Sequence, residues 1–462
     1  MSAPAAAARV RVWARLGNGD LMLVAAASIG LAAAGTHGRY GAGALAFVTV
    51  ATGVAVLSLA GRVGERGPGP VGIGAVLVVS AGAAVLVPAG LYAAGPARAV
   101  SRGLAAVAAL VALGYLWPRR APHRTRVRTQ AIAGVTAVAM VAASAAMVVA
   151  SPRPRIDVWA MYQASARALL HGHNPYLAHW TSGLAGEVSN LFTYLPGSAV
   201  LLTPAYALFG DVRYGLIAAL VVTAWFAYRL GGERGAFAAS AVLLFPGGTF
   251  ATEQAWNDPL LMALVAGTVY ATRRGRSGWA VAGLAAALTC KQYALLLVPL
   301  AAVWRPFGWR RALQATGAAA AFVAPWALGA PRAFVHGVVR YNLDLPPRHD
   351  SLSLYASGLR HGFVAGMVPV GVVTLGAVLL VAYAVWRRPA LFLAGAGAVM
   401  AVFDLVNKQS FFNEWELAAV LLILGAVSSV ELEAAVSPGP RSPRRPHPRR
   451  QTGGVAVPTS GP

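Results

Sequence analysis

"TQAIAGVTAVAMVAASAAMVVASPRPRIDVWAMYQASARALLHGHNPY", residues 129–176, decides the fold. Its first part, 129–150, is a continuous apolar run of the length that crosses a bilayer core, which takes about 20 helical residues. The pattern then changes. After an acid, Asp157, the apolar residues Trp159, Tyr162, Ala166 and Leu170 recur on one helical face, with Gln163, Arg167 and His171 opposite. Gly172 and Pro175 end that helix. The stretch therefore reads as a membrane helix that hands the chain to an amphipathic helix lying on the membrane.

Outward from this stretch the same apolar signal repeats, near 20–35, 41–60, 71–95 and 99–117 before it and near 196–209, 214–230 and 235–250 after it. With 57% hydrophobic and 11% charged residues over 462 positions, the chain is too apolar for a soluble domain. The runs are continuous rather than alternating, which excludes a membrane β-barrel. The fold class is all-α, a polytopic transmembrane bundle with a surface helix and loops at one face. The formal charge of +23 sits mostly in arginine clusters between apolar runs, at 118–128, 273–276 and 386–388. That is the signature of cytoplasmic loops and not of a nucleic-acid partner. A single cysteine, Cys290, excludes an internal disulfide and any multi-cysteine metal site.

If the Arg-bearing N-terminus is inside, and its first apolar run is an uncleaved helix rather than a signal peptide, the fifth helix delivers Asp157 to the outer face. The run 196–209 is short and carries Pro196 and Pro204, so it is expected to be re-entrant or incomplete. The later basic clusters then return inside, and 249–259, 289–293, 340–351 and 407–414 face outward beside Asp157. Residues 277–304 are expected to form two short helices meeting at Lys291. The chain divides into an N-terminal transmembrane extension of about four helices (1–128), a transmembrane core (129–436) and a disordered basic cytoplasmic tail (437–462). Richness in Ala, Gly and Arg suggests a GC-rich bacterial genome.

Among 38 basic residues only two are lysines, Lys291 and Lys408, each followed by a glutamine, Gln292 and Gln409, and each in or beside a membrane segment. An ionisable group at that depth faces a cavity or a partner, and lysine binds phosphate as a point charge. For Lys408 an ion pair with Asp404 or Glu414 is the plain alternative. Asp157 likewise has two readings, as a helix cap or as a general base within reach of a hydroxyl, and one residue can be both. The other outward acids are Glu253, Asp258, Asp344 and Asp350. Asp258 precedes Pro259 and could cap a helix, and the last two share a loop with Arg340, Arg348 and His349, where ion pairing is expected. Glu187 falls in the solvated part of the first outer loop. His171, His173 and His179 lack the spacing of a metal site, and no Gly-rich nucleotide-binding turn is present.

"DVWAMYQASARALLHGHNPY" (157–176) resembles the first outer loop of membrane glycosyltransferases of the GT-C superfamily, most closely those of glycosyltransferase family 87 that use polyprenyl-phosphate mannose. The similarity continues in "FTYLPGSAVLLTPAYALFG" (192–210), "GLAAALTCKQYALLLVPLA" (283–301) and "NKQSFFNEW" (407–415). The first 128 residues depart from the compact family pattern. The resemblance implies transfer of a hexose, mannose, from a polyprenyl-phosphate donor to an extracytoplasmic glycolipid or glycan acceptor, with inversion and with Asp157 as the base. It implies a bacterial cell membrane protein with its active site on the extracytoplasmic side, membrane lipid around it, and no cofactor or metal. The donor phosphate would meet Lys291, Arg340, Arg348 and Lys408. Trp159, Tyr162, Asn174, Tyr176, Tyr194, Trp256, Gln292, Gln409 and Asn413 are candidates for sugar or lipid contact, the aromatic ones also readable as interfacial anchors. A transporter or lipid flippase for an anionic substrate uses the same intramembrane lysines and broken helices. Against it stand the lack of repeated halves and the clustering of polar residues on one face.

Overall fold

The computed structural model describes residues 17–60, 67–87, 90–117, 122–181, 191–436 and 461. The expected tail, Gly461 apart, and Glu187 lie outside the described residues. The described chain is helical, with one isolated antiparallel bridge, Arg39 to Ser351. Helices α1 (Asn18–Thr36), α2 (Ala42–Ala60), α3 (Pro70–Leu86) and α4 (Gly95–Ala112) precede the long α5 (Pro122–Ala150) and the amphipathic α6 (Asp157–Leu170). Then come α7 (Pro196–Phe209), α8 (Arg213–Leu230), α9 (Gly235–Leu243), α10 (Gly248–Glu253), α11 (Asp258–Arg273), α12 (Ser277–Leu288) and α13 (Leu297–Val303). After α14 (Trp309–Gly329) and α15 (Pro331–Phe334), a π-helical turn, Val335–Arg340, leads into α16 (Tyr341–Asp344). Helices α17 (Leu354–Arg360), α18 (Met367–Arg387), α19 (Phe392–Val406) and α20 (Phe412–Val436) complete the bundle.

Among the described residues, six helices are long and apolar enough to cross a membrane, or up to eight if each of two bent pairs forms one span. Leu57, Val138, Leu328 and Leu379 are exposed on the outside of the bundle, the arrangement of residues that meet lipid. The bundle has two polar ends. At one, buried Asp20 accepts the Gly69 and Gly72 N–H groups at the start of α3, both at 2.8 Å, a carboxylate at a helix N-terminus. Arg273 donates there to the Leu230 and Ser428 carbonyls. At the other end the turn after α1 meets the late loops, with the Tyr40 N–H on the Asp350 carbonyl at 2.8 Å and the Leu352 N–H on that of Ser410 at 2.9 Å. A Cβ at Gly38, where φ is +74°, would overlap the Phe412 backbone.

Helix α7 belongs wholly to this second end. Its start is pinned by the Gly197 N–H on the Thr289 carbonyl at 2.8 Å. Its finish is pinned by Gln163 of α6, which donates to the Gly210 carbonyl at 3.1 Å and accepts the Val212 N–H at 3.0 Å. The chain then bends by 115° into α8. Residues 196–209 do not cross by themselves, as their prolines and shortness lead one to expect. The lysine at 291 does stand at a break: α12 ends at Leu288, and a 3-10 turn, Gln292–Leu296, starts α13. The N-terminal extension packs into the core rather than beside it, α1 lying against both α3 and α20.

Candidate active site

Asp157 is the first residue of α6, exposed, with Oδ1 accepting the N–H of Val158 at 2.8 Å. A buried clamp fixes its approach. Arg213, fully buried, grips Asp211 at 2.6 Å and donates to Ser151 Oγ at 2.9 Å, just past the end of α5. Trp159 Nε1 donates to the same Asp211 at 3.3 Å, and the guanidinium lies 5.8 Å from the Trp159 ring. This pair joins α5, α6 and α8 and so sets where the carboxylate of Asp157 stands. Sequence reasoning missed it. The available signal was a scarce acid and an arginine, Asp-Val-Arg, directly after the Gly210 that ends a helix.

Asp157 acts electrostatically on three phenols, Tyr92, Tyr194 and Tyr341, which come from three distant parts of the chain. Burial raises the Tyr194 hydroxyl well above its ordinary value, and the charge of Asp157 raises it further. Tyr162 stacks on Tyr194, planes 4° apart and centroids 5.7 Å apart. Behind Tyr194 lies a buried polar cluster. Lys291, 3% exposed, donates to both oxygens of the fully buried Asp258, at 2.8 and 3.0 Å, and to the Tyr293 hydroxyl at 2.9 Å. Asp258 also accepts from the Tyr293 hydroxyl, and from Asn413 at 2.9 Å. Glu414 lies 3.9 Å from the ammonium, and the Tyr194 ring centroid 5.5 Å from it. The sequence offered Lys291 no neighbouring acid; the fold brings Asp258 across from the start of α11.

The remaining cations stand differently. Lys408, buried, donates to the Leu343 carbonyl at 2.8 Å, and loss of hydration lowers its pKa from 10.5 while Asp344 opposes the shift. Arg348 forms an exposed two-bond pair with Asp350, at 2.7 and 2.9 Å, and lies over Phe411. Partial burial raises the Asp350 carboxyl, but the bonds and charge of Arg348 outweigh it, and its pKa falls below 3.8. Arg340 and Asp344 are exposed on the same segment.

Several candidate sugar contacts are engaged in holding the site together. Asn174 donates to the Trp326 carbonyl at 2.9 Å and accepts the Tyr176 N–H, and Tyr176 donates to the Tyr194 carbonyl at 2.8 Å. Gln292 donates to the carbonyls of Thr193 and Val338, and Gln409 to that of Pro346. Trp256 stacks on Phe412. Glu253 is fully buried and accepts the N–H groups of Leu91, Tyr92 and Ala93 at 2.6–2.8 Å, plus the Gln254 amide at 2.9 Å. Between Glu253 and Asp258 the backbone turns through Ala255 at φ +57°, a left-handed conformation rare for alanine. The adjacent Asn257 amide is 1% exposed and hydrogen-bonds to nothing among the described residues.

The family model of glycosyltransferase family 87 matches residues 192–429, from Phe192 beside Tyr194 through Lys291, Lys408 and Asn413. The chain belongs to glycosyltransferase family 87. Nothing among the curated proteins matches it. As a family 87 protein it is a membrane glycosyltransferase rather than a transporter, and its lipid-linked donor and its acceptor meet it in the membrane. The matched segment begins beyond both Asp157 and the N-terminal extension, so the acid and the first five helices are tied to it by the contacts above.

Proposed function

We propose that this glycosyltransferase transfers a hexose, mannose, from a polyprenyl-phosphate sugar to a glycolipid or glycan acceptor on the extracytoplasmic side of a bacterial cell membrane, with inversion. Asp157 takes the proton of the acceptor hydroxyl. The freed oxygen attacks the anomeric carbon, and the bond to phosphate breaks with its electron pair leaving on polyprenyl phosphate. A base for this step has to be ionised, and the position of Asp157 at the N-terminus of α6 favours the carboxylate. Arg340, Arg348 and Lys408 meet the leaving phosphate. Lys291 contributes its charge from behind, where its bond to Asp258 holds the turn at 289–293 in place. Tyr194, backed by the fully buried Tyr162, offers an aromatic face for a sugar ring, with Trp159, Tyr176, Trp256, Gln292, Gln409, Asn413 and Asn174 supporting that surface.

The observation that carries this reading is the placement of an exposed carboxylate, which acts on three phenols, at the polar end of a family 87 bundle that also carries the cations of the 340–350 and 408 segments. The experiment is transfer from radiolabelled polyprenyl-phosphate mannose by membranes carrying the intact chain or Asp157→Asn at matched expression. Loss of a general base lowers the rate by ~10²–10⁴-fold, whereas a lost helix cap costs only about 1 kcal/mol of stability. Equal transfer by both proteins removes Asp157 from catalysis.

A further inference from the structure

At the end of the bundle away from Asp157, α8 and α11 finish side by side, tied by Arg273, which donates to the Leu230 carbonyl at 3.3 Å. In each helix an aromatic residue stands one turn before an arginine, Trp225 before Arg229 and Tyr270 before Arg274. The Arg229 guanidinium lies 5.5 Å from the Trp225 ring centroid and 5.7 Å from that of Tyr270. Arg274 lies 5.6 Å from the same Tyr270 centroid and donates to its hydroxyl at 3.4 Å. Among the described residues, Tyr270 is the one ring that two guanidiniums share. The rings are themselves fixed. Trp225 meets Tyr270 edge-on at 5.4 Å, and Phe226 packs over Gly267, where a Cβ would come to 3.0 Å from its ring.

Two like charges gathered at one ring call for a counter-ion, and the described chain supplies none. Among the described residues no carboxylate forms an ion pair with Arg229, Arg274 or the nearby Arg276, although Glu233 lies exposed in the turn after α8. Other arginines stand differently. Arg213 and Arg348 each hold an aspartate, and Arg273 is engaged with two backbone carbonyls. Arg305 on Trp386 and Arg310 on Trp309 are single contacts. A cation over an aromatic face keeps its charge available to an anion on its outer side, and a guanidinium matches the oxygens of a phosphate in two-bond geometry.

The surface beside the pair says what carries that phosphate. Val221, Val222 and Trp225 are exposed on α8 in the two turns before Arg229. This apolar strip ends at the guanidiniums, with an exposed tryptophan at the boundary, the level at which lipid headgroups meet a membrane helix. We propose that Arg229 and Arg274, on their shared ring, bind the phosphate of an anionic phospholipid, with Trp225 and the valines lying along its glycerol and upper chain carbons. The site is at the end opposite Asp157, and the proposal does not depend on the transfer reaction.

The test measures retention of radiolabelled dioleoyl phosphatidylglycerol by the purified full chain in dodecyl maltoside. The parent should retain it, with displacement by unlabelled phosphatidylglycerol and not by dioleoyl phosphatidylcholine or inorganic phosphate. Arg229→Gln and Arg274→Gln should each lower the affinity about fivefold, and the double variant about thirtyfold, the worth of one and two arginines at a headgroup surface. Arg310→Gln removes a charge from the same end without touching Tyr270 and should leave the affinity unchanged. The exposed positions of these arginines make misfolding an unlikely confounder only if checked, so the phosphatidylglycerol-dependent rise in melting temperature is read as well: it should appear in the parent and in Arg310→Gln, and vanish in the double variant. Equal affinity in the parent and the double variant overturns the site. An equal loss in Arg310→Gln shows diffuse surface attraction instead, and displacement by inorganic phosphate shows a free-anion site; either result also overturns the proposal.

Discussion

Two lysines in a chain of arginines stand out in the sequence, and the fold gives them different surroundings. Lys291 is held by Asp258, whereas Lys408 has a backbone carbonyl as its hydrogen-bond partner and a pKa lowered by lost hydration. A lowered lysine pKa has opposite consequences for binding and for stability. The ammonium that would meet the donor phosphate is lost as pH rises through a value below the ordinary 10.5, so donor affinity falls in that window. Stability moves the other way, because the unfolded chain keeps its proton to higher pH than the folded one. We therefore expect the KM for donor to rise with alkaline pH while the melting temperature contribution of this residue does not fall. Lys408→Arg, with a guanidinium that stays charged beyond pH 12, should carry full donor affinity further into the alkaline range. A pH profile of donor KM identical in the parent and Lys408→Arg removes Lys408 from the phosphate site.

The helices were legible as elements because each apolar run is long and bounded by Gly, Pro or charge, and the break at Lys291 was legible from a polar quartet inside such a run. What joins the elements was not legible. Asp258 and Lys291 are 33 residues apart, on the start of α11 and the turn before α13, and Asn413 reaches the same carboxylate from 155 residues away. Nothing in local pattern distinguishes an acid that caps its own helix from one that binds a lysine two elements later. The same holds for Glu253, whose partners lie in the turn before α4, and for Arg213, which binds its neighbour Asp211 but also reaches Ser151 past the end of α5. Burial makes the Asp258–Lys291 pair costly to break on one side only. Asp258→Asn or Lys291→Met alone should destabilise by about 3–5 kcal/mol by leaving one buried charge without its partner, whereas the double variant should recover much of that loss. Thermal unfolding of the four purified proteins measures the coupling. Additive losses would mean that the pair does not hold α11 to the turn at 291.

At the scale of the molecule, the two ends of the bundle follow from the path of the chain. Helix α7 starts on Thr289 and ends on Gln163, both at the end that carries Asp157, so it reverses nothing, and α8 alone leads to the other end, where Leu230 meets Arg273. One extra crossing there would have put Arg273, Arg274 and Arg276 beside Asp157. Instead, Arg276 and Arg310 lie at the end that holds Asp20 and its helix start, and Ala94 and His361 lie at the end that holds Asp157. Arginine clusters stay on the cytoplasmic side, which turns this two-ended arrangement into a prediction about sides. With buried Cys290 replaced by serine, single cysteines at exposed Ala94 and His361 should react with a membrane-impermeant maleimide applied to intact cells, and cysteines at exposed Arg276 and Arg310 should react only after the cells are opened. The reverse pattern would keep the fold but move the transfer reaction to the cytoplasmic face. Labelling of Ala94→Cys and Arg276→Cys from the same side would mean that α7 crosses after all. Asp157 would then be separated from the lysine cluster by the membrane itself.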